Sequence, residues 1–284
     1  MASPADAPLL SSRSGRVKTA RRLARRASRA ENRLFLAEGP QVIGEALAAP
    51  GCVGEIFAVP SAATDHPGIF EAAAAQEVVW HRVDDAALAS LAETVHPQGL
   101  VAVCRFLDRP LDDLLGSVMG DVTGDGLDPI RLVAVCADVR DPGNAGTLLR
   151  CADAAGAGAV VLTGSSVDPY NGKAVRASTG SLFHLRLALD PDTAEVISRL
   201  QGLGFTVLAA DGAGELDLDD AVDSALLTRP TAWLFGNEAW GLPDELTELA
   251  DHRVAIPIHG KAESLNLATA AAVCLYASAR AQRR

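Results

Sequence analysis

From Ile130 onward, short apolar runs alternate with segments of helical period. IRLVAVCA, GAVVLTG, LFHLRLAL, FTVLAAD, TAWLFG and HRVAIPI read as strands. NAGTLLRCADAAG, TAEVISRLQGLG, PDELTELA and SLNLATAAAVCLYASARAQRR read as helices between or after them. Continuous apolar strands separated by helices predict a mostly parallel sheet covered on both faces. Ligand sites in such sheets lie beyond the carboxyl ends of the strands. The front repeats the alternation on a smaller scale: LFLAEGPQVIGEAL gives strand, turn and helix, and CVGEIFAV, EVVWHRV and QGLVAVCRF give further strands. Between the halves, LDRPLDDLLGSVMGDVTGDGLDP is rich in Asp, Gly and Pro and reads as a linker. The expected division is a small α/β domain over 1–107, a linker over 108–129 and a larger α/β domain over 130–284.

Charge sharpens the picture of the front. The net charge is -11, yet residues 1–33 carry nine basic side chains against Asp6 and Glu31. A basic patch on an acidic body attracts a polyanion locally and discourages indiscriminate binding elsewhere. Arg13, Arg16, Lys18, Arg21, Arg22, Arg25, Arg26, Arg29 and Arg33 fit one helix with Val17, Leu23 and Ala24 as its thin apolar stripe. The plain alternative is a solvated charged helix. The five cysteines are scattered, without CxxC pairs or zinc-ligand spacing, which points to free thiols in a reducing cytoplasm and to no metal. No apolar run is long enough to span a membrane. No GxGxxG follows a strand, which counts against a nicotinamide-dependent enzyme; GDG at 124–126 reads as a turn.

Three segments carry candidate chemistry. In DVRDPGNAGTLLR, Asn144 stands where a helix N-cap belongs and Arg150 follows, its planar guanidinium suited to holding a phosphate inside a cleft. In WLFGNEAWGLP, Gly236 allows close backbone approach to a ligand, and Glu238 either positions a hydroxyl or caps the next helix. In IPIHGKAESLNLATAAA, Ser264 and Asn266 open an Ala-rich helix whose small residues permit tight packing.

Taken together, Asn144 with Arg150, Gly236-Asn237-Glu238 with Gly241-Leu242-Pro243, and Ile256-Pro257-Ile258 with Ser264-Leu265-Asn266 resemble the three motifs of SpoU-type, or TrmH-like, RNA 2'-O-ribose methyltransferases. The front, VKTARRLARRASRAENRLFLAEGPQVIGEAL, is similar to the family's ribosomal-protein-like substrate-binding domain. The layout resembles rRNA-modifying and thiostrepton-resistance-type members. The resemblance implies a trefoil-knotted α/β domain with the knot around 233–270, S-adenosyl-L-methionine as methyl donor, and a homodimer sharing its active sites. It implies cofactor contacts at Leu234, Phe235, Gly236, Ile256, Ile258, Leu265 and Asn266, catalytic roles for Asn144, Arg150, Glu238, Ser264 and Asn266, and RNA contacts along the basic helix from Arg13 to Arg26. The expected substrate is 23S rRNA, with tRNA as the alternative and a non-catalytic RNA- or ribosome-binding protein as the alternative of another class. Arg150, always protonated, is expected to clamp a phosphate and stabilise the developing alkoxide rather than act as a base. His259 departs from the small or apolar residue common there and reads as a surface or pocket-lining side chain. Ser14-Gly15 stands where relatives often carry Asn-Pro.

Overall fold

A computed structural model describes residues 8–116 and 130–283. The GDG turn and most of the expected linker lie outside them. The chain forms two compact units that are not contiguous in sequence: 1–107 with 168–184, and 108–167 with 185–284.

The first unit holds a four-stranded sheet in the order β1-β4-β2-β3, made of β1 (Leu34–Glu38), β2 (Val53–Ala58), β3 (Val79–Arg82) and β4 (Leu100–Arg105). β4 runs antiparallel to both neighbours, and β2 and β3 are parallel. The single basic helix expected from Arg13 to Arg33 is two short ones, Gly15–Arg21 and Arg26–Asn32, joined by a 3₁₀ turn over Arg22–Ala24. Arg25 breaks them with an extended backbone, φ -96° and ψ 131°. Val17, Ala20 and Leu23 form the buried stripe, while Ala24 is exposed. The break has a cause in Arg29. Its buried guanidinium donates to the Leu23 and Ala24 carbonyls at 3.0 and 2.9 Å, and its Nε donates to Asp168 at 2.8 Å. Asp168 opens the segment, 168–184, that returns to this unit. There Tyr170 stacks on Phe106 at 3.9 Å and packs tilted against Phe35 at 4.8 Å, and its hydroxyl accepts from the Leu107 amide at 2.8 Å.

The second unit is built on seven strands: β5 (Leu132–Ala137), β6 (Ala159–Thr163), β7 (Arg186–Asp190), β8 (Thr206–Ala210), β9 (Leu216–Asp217), β10 (Thr231–Phe235) and β11 (His252–Ala255). Their order is β7-β6-β5-β10-β8-β11-β9, and every neighbouring pair is parallel. β5, β6 and β10 are buried along their whole length, as their unbroken apolar sequences require when both faces are covered. LFHLRLAL is a strand only from Arg186; Ser181–Phe183 form a 3₁₀ turn in the first unit. The front of the expected linker is a helix, Leu111–Gly116. Leu111, Leu114 and Leu115 are buried in the core with Val133, Val161 and Val196. Laid between β5 and β8, β10 brings the carboxyl ends of β5, β10, β8 and β11 to one edge. Helix Leu267–Gln282 covers β10, and Trp233 donates its indole N–H to Ser278 at 2.9 Å in the interior.

Candidate active site

At the end of β10 the chain turns back on itself. The Asn237 amide donates to the Gly241 carbonyl, and the Gly241 amide to Asn237, both at 2.9 Å. Gly236 is required here because a Cβ would stand 2.4 Å from the Gly241 carbonyl carbon and 2.6 Å from the Leu242 nitrogen. The glycine therefore serves closure of the turn as much as approach of a ligand. The buried Asn237 side chain staples the turn to the end of β5, donating to the Asp138 carbonyl at 2.7 Å and accepting from the Ala239 amide at 2.8 Å. Asp138 occupies the left-handed region, φ 55°, and its carboxylate accepts from the Ser165 amide. Asparagine and aspartate are the non-glycine residues that enter this region most readily.

The backbone of 140–141 is thereby aimed at Glu238, whose carboxylate accepts from the Arg140 amide at 3.1 Å, the Asp141 amide at 3.0 Å and Asn144 Nδ2 at 3.1 Å. Burial pushes the Glu238 carboxyl up, but these hydrogen bonds outweigh it and hold the group below its ordinary value. Asn144 was expected at the helix N-cap. That position belongs to Asp141, which accepts from the Asn144 amide, with Pro142 following at the first helical position. Asn144 is thus released to bridge: its Oδ1 accepts from Asn266 Nδ2 at 3.0 Å, and Asn266 Oδ1 caps helix Leu267–Gln282. One residue from each of the three motifs is joined in a single chain of hydrogen bonds.

A cleft of about 360 Å³ adjoins this chain, within the size range of small-molecule sites. Phe235, Gly236, Ile256, Ile258 and Leu265 line it, with Ser264, Asn237 and the carboxylates of Asp211, Glu238 and Glu263. Of the cofactor contacts that the resemblance implies, Leu234 and Asn266 stand outside the cleft lining. The Leu234 side chain is fully buried in the sheet core and does not line the cleft, because successive residues of a strand face opposite sides. Arg150 is exposed on helix Pro142–Ala155, outside the cleft lining of its own chain. Six residues past Asn144, it lies roughly 9 Å further along the axis and on another face. His259 is exposed and also outside the lining. Asn237, Asp138, Asp211 and Glu263 belong to the site without having been singled out for it, although all but Asp211 lie inside the three motif segments.

In the first unit, Arg13, Arg16, Lys18, Arg21, Arg22, Arg25 and Arg26 are all exposed. Arg16 is paired with Glu55 at 2.5 Å, and Glu55 also holds His81. A larger cavity of about 640 Å³ lies in this unit beside Val53, Gln76 and Arg105, but contains none of the motif residues. Among the described residues, no helix is long and apolar enough to cross a membrane, and no cluster of three His, Cys, Asp or Glu side chains is arranged to hold a metal ion.

A parallel α/β sheet with a ligand cleft at the carboxyl ends of β5, β8, β10 and β11, and a second compact unit whose first two helices carry a run of basic residues, define a two-part architecture. The SpoU rRNA Methylase family model matches residues 131–276, and the MRM3-like substrate binding domain model matches residues 15–102. The 23S rRNA (guanosine(2553)-2'-O)-methyltransferase RlmP of Bacillus subtilis (strain 168) is 31% identical over 269 residues, covering 94% of this chain and 96% of that one. The SpoU methyltransferase AviRb from Streptomyces viridochromogenes, solved with AdoMet, superposes with a TM-score of 0.80 at 27% identity, over 95% of this chain and 98% of that one. An AdoMet-bound rRNA methyltransferase from Sinorhizobium meliloti gives 0.77 at 28% identity, over 99% and 97%. The chain belongs to the SpoU rRNA methylase family and is a methyltransferase.

Proposed function

We propose that this protein transfers the methyl group of S-adenosylmethionine to a ribose 2'-hydroxyl of RNA, with 23S rRNA as the substrate. The observation that carries this is the hydrogen-bonded chain Glu238–Asn144–Asn266 beside a cleft lined by apolar side chains and by the carboxylates of Asp211, Glu238 and Glu263. The residues fit the donor: Phe235, Ile256, Ile258 and Leu265 suit a flat adenine, and Asp211, Glu238 and Glu263 suit a molecule bearing a sulfonium and an ammonium. When bound, that donor supplies an electrophilic methyl group for in-line attack. Glu238, held ionised, keeps the 138–144 turn in place and fixes which way the Asn144 amide points. Asn266 fixes the start of the last helix, and Ser264 offers a hydroxyl at the cleft. The rRNA reading is supported by relatives that match nearly the whole chain, front unit included.

Arg150 clamps a phosphate next to the target ribose and stabilises the alkoxide, with a phosphate oxygen or solvent taking the proton. Because it stands outside its own cleft, this role calls for a homodimer in which Arg150 serves the cleft of the second copy. The exposed Val273 and Tyr276, three residues apart on the last helix, offer that pairing apolar side chains. The trefoil knot through 233–270 fits the placing of β10 between β5 and β8. The basic helices of the first unit hold the RNA backbone, and the free cysteines suit a cytoplasmic setting. The test is transfer of labelled methyl to purified tRNA, small-subunit rRNA and large-subunit rRNA, with wild type and Arg150→Ala. Label in large-subunit RNA as 2'-O-methylribose, lost in the variant, is the expected result; normal turnover by the variant would remove Arg150 from the mechanism.

A further inference from the structure

The cleft poses an electrostatic problem for the substrate class just proposed, on which this inference rests. Asp211, Glu238 and Glu263 line it, and Asp138 and Asp141 stand beside it, so an approaching phosphate backbone meets like charge. Between Asp138 and Asp141 in the chain stands Arg140, which meets the cleft-lining Glu238 through its backbone. Its backbone amide is one of the three donors held by Glu238, at 3.1 Å, so its root is as fixed as the catalytic network itself. Its head is held far more loosely. The side chain is 54% exposed and reaches the Asp138 carboxylate at a long 3.5 Å. An exposed ion pair of that kind contributes little and exchanges readily. A planar guanidinium on a rigid root is suited to a phosphate, which it grips through two parallel hydrogen bonds.

We infer that Arg140 is a substrate-positioning residue that takes up an RNA phosphate at the rim of its own chain's cleft, leaving Asp138 when RNA arrives. Arg140 and Arg150 then act from different places: Arg140 holds the strand at the cleft that carries it, and Arg150 acts on the ribose from the second copy. Asp138 is the internal stand-in for the phosphate while RNA is absent.

The experiment measures kcat/KM for methyl transfer to purified large-subunit rRNA at several salt concentrations, for wild type, Arg140→Ala and Arg140→Lys, with S-adenosylmethionine affinity measured separately by calorimetry. Loss of a charge-assisted phosphate contact lowers kcat/KM roughly tenfold in Arg140→Ala, mainly through KM. It also makes the slope of log(kcat/KM) against log[salt] shallower by about 0.7 to 0.9, the contribution of one released counterion. Arg140→Lys keeps the charge and therefore the slope. Cofactor affinity is unchanged in both variants. An unaltered salt slope in Arg140→Ala overturns the inference, as does an equal loss in both variants accompanied by weaker cofactor binding, which marks a merely structural role. If wild type labels no RNA at all, the methyltransfer reading fails and this inference with it; labelling by wild type with an indifferent Arg140 fails this inference alone.

Discussion

Replacing Gly236 by alanine tests whether the turn after β10 is as closed as its geometry requires. The new Cβ would stand 2.4 Å from the Gly241 carbonyl carbon, 2.5 Å from its oxygen and 2.6 Å from the Leu242 nitrogen. All three are backbone atoms, so no side-chain rotation relieves the clash. Reaching ordinary contact near 3.4 Å means opening the turn by about 1 Å, which carries the paired 2.9 Å bonds between Asn237 and Gly241 out of hydrogen-bonding range. Overpacking costs about 1–3 kcal/mol, and two lost backbone bonds add about 0.5–1.5 kcal/mol each. The sum is about 2–6 kcal/mol, and at the middle of that range thermal unfolding of a unit this size drops by roughly 8–16 °C. Because Asn237 staples the turn to Asp138, the same movement loosens the cleft wall, and S-adenosylmethionine affinity falls at least about tenfold. Calorimetry gives both quantities. A Gly236→Ala protein that melts within about 2 °C of wild type and binds the donor equally well would show that the turn is not tightly closed, and the reasoning about this site would fail.

Three further outcomes follow from the same structure. Glu238 is held below its ordinary value near 4.5, so its contribution is fully present above that pH and is lost as pH falls through the lower folded value; Glu238→Gln therefore loses less stability than wild type on acidification, the share of Glu238 alone being removed, as pH-dependent urea titration reads. Arg29→Met leaves Asp168 and two carbonyls without their donor and destabilises the protein by about 3–5 kcal/mol in urea titration, against near zero for a solvated arginine such as Arg25→Met. Ser278→Ala strands the buried indole N–H of Trp233 and costs about 1–3 kcal/mol, read from the melting temperature.

The parallel sheet was legible because its strands are covered on both faces and therefore read as unbroken apolar runs. The same property hid which residues face the ligand: in a strand apolar throughout, nothing in the sequence separates Leu234, sunk in the core, from Phe235 at the cleft. Helix Leu111–Gly116 was obscured by surrounding Asp, Gly and Pro, although its leucines already stand at helical spacing. The displaced N-cap was readable from Asp141-Pro142, a cap followed by a proline at the first helical position. The break at Arg25 was not, because helix propensity hardly varies across that run, and the interruption depends on a guanidinium whose counter-charge lies 139 residues away.

The return of residues 168–184 to the first unit sets a rule for exchanging target preference between relatives. A hybrid joined once, near residue 107 or 130, would pair one parent's Arg29, Phe35 and Phe106 with another parent's Asp168 and Tyr170. The recognition unit is heritable only as two pieces of chain, so a productive graft needs three junctions, and a fragment ending at Leu107 would leave an aromatic face bare to water and prone to aggregate.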